Sequence, residues 1–246
     1  MSLNSTLNAN GILNRVAAEV GIAPVTDPLA SQDPLFIQLR YLLNTAGEEL
    51  MEAFPWELLT KSHRILTAEN DSGDYSLPAD YGYMINQTNW EQSKRTPMGS
   101  LSTQEWATLK GLNLSGGIVY PSFRIAGGKY NIIPNNPVPA GLDINFEYIT
   151  SNWVWDGNDI NPVFKSEVTM ATDVPLFNKT LISRAVKVKY LESGGFDTTK
   201  AQGDYNQIFA FLTGTDTPAN VLDAGGGGGN VPLISTNNAP ITGFGL

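Results

Sequence analysis

The sequence contains no cysteine, which excludes disulfide scaffolds, Cys-ligated zinc and thiol catalysis together. It has one histidine, His63, so any His-ligated metal site or Ser-His-Asp triad would have to be built around that residue. Neither G-x-S-x-G nor H-E-x-x-H occurs. Charge is scarce as well: 16% of residues are charged, against about 25% in ordinary soluble domains. No apolar run approaches the roughly 20 residues that span a bilayer. Met1-Ser2-Leu3-Asn4 also lacks the basic and apolar regions of a secretory signal. The expectation is a soluble chain that starts in the cytoplasm and has no membrane partner.

Basic residues are the scarcer sign, 15 against 24 acidic, for a net charge of −9. Specific DNA binders need Lys/Arg clusters to displace counterions from phosphates. The nearest thing here is a mild basic stretch at Lys179, Arg184, Lys187 and Lys189. Specific nucleic-acid binding is therefore disfavoured, whereas a conduit is compatible, because an acidic wall repels a passing duplex. The polar surface is rich in Asn, Thr, Ser and Gly, a composition common in proteins packed against neighbours.

What is present is organised by period. The 246 residues allow one large domain or two small ones. A first helix is expected from Asn8 to Val20, with Ile12, Val16 and Val20 on one face and Gly21 and Pro24 ending it. The second is capped by Asp33 with Pro34 at its first position. Its stripe is Leu35, Leu39, Leu42, Leu43, Ala46, Leu50 and Phe54, and Pro55 stops it. A third is expected to start at Asp173 and Pro175, with Phe177, Leu181, Ala185, Val188 and Leu191 on one side and Gly194-Gly195 closing it. The fourth starts near Thr198, with Ala201, Tyr205, Ile208 and Leu212 on a face; Gly203 weakens it by ~1 kcal/mol.

Between these pairs the period falls to two. Leu142, Ile144, Phe146 and Tyr148 alternate with Asp143, Asn145 and Glu147, a half-buried strand. Ser122 to Ala126 and Lys129 to Ile133 flank Gly127-Gly128, which fits a two-residue hairpin turn with both φ positive. Arg64 to Thr67 and Tyr83 to Trp90 are further strand candidates. Ser102 and Glu105 form a capping box ahead of Trp106 and Leu109. The fold class expected is α+β: a four-helix cluster built from both chain ends, a β-rich insertion, and an extended Gly-rich C-terminal tail. The boundaries are 1–61 and 166–214 for the helical part, 62–165 for the insertion and 215–246 for the tail.

Candidate chemistry weighs towards structural roles. His63, next to a strand, lacks catalytic or ligating partners in the pattern around it. Glu48, Glu49 and Glu52 could supply a carboxylate pair for glycoside hydrolysis, but a charged face opposite a Leu stripe is ordinary amphipathic design. Asp71-Ser72-Gly73-Asp74 and Asp156-Gly157-Asn158-Asp159 lack calcium-loop spacing and read as turns. The run Gly225 to Gly229 has no following Lys-Ser/Thr, so it is no phosphate loop. Trp56 and Trp106 fit a core. Trp153 and Trp155 share a strand face and could form a sugar platform. No enzyme activity, metal or cofactor is expected.

One conjunction of segments remains. A long helix ends in Phe54-Pro55-Trp56-Glu57-Leu58-Leu59, and Asp74-Tyr75-Ser76-Leu77-Pro78-Ala79-Asp80-Tyr81 follows. Then come Tyr120-Pro121-Ser122-Phe123-Arg124-Ile125, Ile132-Ile133-Pro134 and Ile144-Asn145-Phe146-Glu147-Tyr148-Ile149. Val174-Pro175-Leu176-Phe177 completes the order. Over residues 8–212 this resembles the head-to-tail adaptors of short-tailed bacteriophages, the tail tubular protein A family. The resemblance implies a structural virion protein at the head–tail interface, assembled in the host cytoplasm as a homo-oligomeric ring, usually of twelve. It further implies partners above and below: the portal protein, the tail nozzle protein, and tail fibres as a further possible partner. Such a ring passes DNA at ejection without specific binding. The competing reading is a β-rich receptor- or glycan-binding tail component, with Trp153 and Trp155 as the platform; a third is a cell-wall hydrolase using a Glu pair. In the tail, Val231, Leu233, Ile234, Ile241, Phe244 and Leu246 are spaced apolar anchors between turn-formers. They suit a strap lying extended across a partner, the portal first and a neighbouring adaptor second.

Overall fold

A computed structural model describes residues 7–111, 121–135, 137–158 and 160–216. The fold is α+β, with five α-helices and three small sheets among the described residues. Helix α1, Ala9–Glu19, is capped by the Asn8 side chain, which accepts from Gly11 N. It closes in a Schellman motif: Gly21 takes φ +82° and Ile22 N–H reaches Ala17 O at 2.8 Å. Helix α2, Pro34–Ala53, starts on Asp33, whose carboxylate accepts from Leu35 N. Its buried face is Phe36, Leu39, Leu43, Ala46, Gly47, Leu50 and Met51. The expected stripe is thus corrected at one end, since Leu35 is 38% exposed while Phe36 is buried. The first turn rolls the larger ring inward.

A 3₁₀ turn, Glu57–Leu59, leads into β1, Thr60–Leu66. Strands β2 (Asp74–Ser76) and β3 (Tyr81–Met84) follow, then the short β4 (Trp90–Glu91), β5 (Thr96–Pro97) and β6 (Gly99–Ser100). The strand expected from Tyr83 to Trp90 is therefore split in two, by a turn in which Gln87 takes φ +63°. Helix α3, Thr103–Gly111, has its capping box formed, with Glu105 N on Ser102 Oγ and Ser102 N on Glu105 Oε2. Strands β7 (Ser122–Ala126) and β8 (Lys129–Ile133) make the expected hairpin, with Gly127 and Gly128 at φ +61° and +70°. The long β9, Asp143–Thr150, is the spine of the largest sheet: β1 pairs along one side, β3 and β4 along the other, and β5 pairs with β4. A second sheet runs β2-β8-β7-β6. Their facing side chains form one core, in which Phe123, Tyr130 and Phe146 stack with centroids 5.1 and 5.3 Å apart.

The third sheet joins β10 (Val154–Trp155) to β11 (Phe164–Lys165) and β12 (Val174–Pro175). Here the expected start of the third helix is wrong. Val174 and Pro175 are strand, and helix α4, Lys179–Ser193, begins on Asn178, which accepts from Thr180 N. Asp173 cannot cap it, because its buried carboxylate is already engaged by Thr169, Met170 and Lys165. Helix α5, Thr199–Asp216, continues two residues past the expected limit. Helix α4 packs against α1, α2 and α5. Ile12, Leu39, Leu181 and Leu212 lie in one apolar cluster, which also takes in Ile149, Trp153, Val154 and Val168 from the strand-rich segment.

Candidate interaction surfaces

The six anchors expected to bind a partner, Val231, Leu233, Ile234, Ile241, Phe244 and Leu246, lie outside the described residues. So does the run Gly225 to Gly229. The chemistry candidates can be placed. His63 meets Phe146 edge-on at 5.5 Å; burial lowers its pKa and Asp80 partly opposes that. Glu49 pairs with Lys189 rather than with another carboxylate, and Glu48 and Glu52 are exposed. Asp71 closes a turn by accepting from Ala68 N and Tyr75 Oη. Among the described residues no group of three or more His, Asp and Glu could hold a metal ion, and no helix is long and apolar enough to cross a membrane.

The tryptophans sort as expected at Trp56 and Trp106 and differently at Trp153 and Trp155. Trp56 is buried and donates to Leu50 O at 2.6 Å, and Trp106 is buried between Lys110 and Arg124. Trp153 is fully buried, stacked on Phe177 and laid against Gly47. Trp153 and Trp155 therefore form no platform: the first belongs to the helix-side core, and the second is half-buried with its N–H on Asn158 O. The outward tryptophan is Trp90, 44% exposed. It sits in a hollow of 360 Å³ with Gln87, Thr88, Gln92, Asn145 and Glu147.

Two carboxylates organise the frame around these surfaces. Asp80, from the Tyr-Ser-Leu-Pro-Ala-Asp segment, accepts from Lys61 Nζ, Thr150 Oγ1 and Tyr148 Oη, so it ties β1 and β9 together. Burial pushes its pKa up, but those hydrogen bonds outweigh burial and hold it at about 2. Asp173 accepts from Lys165 Nζ and from the N–H groups of Thr169 and Met170, fixing the base of the loop between β11 and β12. Its pKa is held low too, the bonds again prevailing over burial. In the preceding loop, between β10 and β11, Asp156 Oδ1 accepts from Asn158 N and Val163 N, and Asn158 Oδ1 accepts from Ile160 N. These two braced loops and the strand between them present Ile160, Val163, Phe164 and Met170 to solvent, with Ile160 87% exposed.

A cleft of 210 Å³ opens between α2, α4 and α5, floored by Ala46, Leu50, Ala185 and Val188. Three residues of the mild basic stretch are engaged within the chain. Lys187 pairs with Glu19, Lys189 with Glu49, and Arg184 donates to Asp204 O. The sequence matches no protein-family model and no curated protein.

Proposed function

We propose that this chain is a ring-forming head-to-tail adaptor of a short-tailed bacteriophage, joining portal to nozzle and continuing the DNA channel. The observation that carries the reading is the shared apolar cluster of Ile12, Leu39, Leu181 and Leu212, helices from the two ends of the chain, beside a separate β core. We read these helices as one four-helix cluster from which the strand-rich segment projects, the architecture the resemblance calls for. Two further features support it. An acidic protein in which Lys187 and Lys189 of the basic stretch are held in ion pairs and Arg184 bonds a carbonyl gives a passing duplex little to hold. The exposed apolar residues Ile160, Phe164 and Met170, on β11 and the loops flanking it, suit a surface packed against neighbours. The tail from residue 217 onward serves in this reading as the strap that fastens the ring to the portal.

Native mass measurement and negative-stain imaging test the proposal. A closed ring, of about twelve copies as the resemblance implies, is the expected result. A monomer at every concentration, or a fibre-like trimer, would overturn it.

A further inference from the structure

The solvent face of the largest sheet carries one indole among idle carboxamides. Strand alternation places Trp90 and Gln92 outward while Glu91 is fully buried, and likewise Asn145 and Glu147 outward around the buried Phe146. Trp90 lies directly across from Asn145 in register, so the indole and the amide share one patch of the hollow. Thr88 is spent on the backbone, bonding Ile85 O and accepting from Glu147 N. The side chains of Gln87, Gln92, Asn145 and Glu147 engage no other group of the protein among the described residues. Arg64, on the adjoining strand, is committed to Asp143 by two hydrogen bonds of 2.6 and 2.8 Å.

Gln87 adds a second, independent sign. Its φ of +63°, like those of Asn70 and Arg95, lies in the left-handed region that glycine adopts freely and residues with a Cβ adopt uncommonly. A non-glycine residue kept there stores strain, and such strain concentrates at functional sites. What Gln87 has that glycine lacks is a carboxamide lining the hollow.

We infer that this hollow is a carbohydrate-binding subsite for the pyranose rings of a neutral glycan. The C–H face of a sugar ring stacks on an exposed indole, whose faces carry negative charge. Each carboxamide both donates and accepts, which matches hydroxyl groups that also do both. Glu147 adds a pure acceptor and disfavours anionic ligands, and among the described residues no cation lines the hollow to attract phosphate or sulfate. The site stands apart from the adaptor reading and would hold on a monomer as on a ring. In a ring, repetition would raise a weak single-site affinity by avidity.

The full chain is tested on an array of neutral bacterial surface oligosaccharides built from hexose, N-acetylhexosamine and 6-deoxyhexose repeats. The best binder is then examined by saturation-transfer NMR. Binding is expected, with saturation concentrated on one C–H face of a ring. Trp90→Ala should weaken it about tenfold or more, and Trp90→Phe by no more than about threefold. Gln87→Gly should weaken it several-fold while leaving the Tm unchanged or higher, a combination that a structural role cannot give. Leu58→Ser, at a remote exposed position, should bind as the parent does. Three results would overturn the inference. One is no array signal above that of Trp90→Ala. Another is parental binding by both Trp90→Ala and Asn145→Ala. The last is a Trp90→Ala variant that changes only the native mass, which would make the face a contact between copies.

Discussion

Asp80 holds a pKa of about 2 in the folded chain against an ordinary 3.8. A depressed carboxylate stabilises the fold above its unfolded pKa and loses that contribution as pH falls. The difference is worth about 1–2 kcal/mol once screening at the 43%-exposed Lys61 is allowed for. Asp80→Asn should therefore lose about that much stability to urea at pH 7, and the gap to the parent should close between pH 4 and pH 2. A gap independent of pH would show that hydrogen-bond geometry rather than charge is what matters there. Two glycines make a sharper pair. A Cβ on Gly47 would fall 2.2 Å from a ring carbon of Trp153, whereas one on Gly203 meets nothing within 4 Å. Gly47→Ala should destabilise by about 3 kcal/mol, the cost of overpacking a closed core. Gly203→Ala should stabilise by about 0.5–1 kcal/mol through helix propensity and unfolded-state entropy. Thermal unfolding should move in opposite directions for two identical substitutions.

At the level of elements, α4 and α5 differ in what holds them. Helix α4 buries Leu181, Ile182, Ser183, Ala185, Val186 and Val188, and so meets neighbours on several sides. Helix α5 buries only Leu212, with Tyr205, Ile208 and Phe209 half-buried beneath it, and Phe211 stands 64% exposed. Few buried contacts mean a low opening free energy. Amide exchange should therefore be faster across α5 than across α4 by one to two orders of magnitude, a gap of roughly 1.4–3 kcal/mol. Assembly should slow it if α5 lies in an interface. Equal protection in isolated chains would mean that something beyond these contacts braces α5. One such brace is visible, the Asp216 carboxylate accepting from Glu57 N at 3.0 Å.

For the whole molecule, the proposed strap sets the sharpest test. Removing residues 217–246 keeps Asp216 and its bond to Glu57, so far-UV circular dichroism should barely change. Portal-bearing heads should nonetheless no longer retain the protein. Normal attachment of the truncated chain would end the strap idea and leave the ring proposal standing. The net charge of −9 carries a second test: duplex DNA at moderate salt should not shift on addition of the protein. A shift would contradict a conduit that passes DNA without holding it.

Local chemistry alone determined a good share of this protein. The Asp33 cap with Pro34, the Ser102–Glu105 capping box, the Gly127-Gly128 hairpin and the alternation along Ile144, Phe146 and Tyr148 are all present. Each depends on neighbours within a few residues, so a short window of sequence contains the whole cause. What depended on distant partners was not legible. Asp173 was expected to start the third helix, but Lys165 and the turn at Thr169 engage its carboxylate, and Asn178 caps the helix instead. No neighbour of Asp80 in sequence announces the cluster of Lys61, Tyr148 and Thr150 that folding brings around it. Among the tryptophans, only the packing of Gly47 and Phe177 on one side and the open face of β9 on the other separated a buried Trp153 from an outward Trp90. An indole suits a core and a binding face equally well, so its type decides nothing. Which surface reaches it is a property of the folded chain.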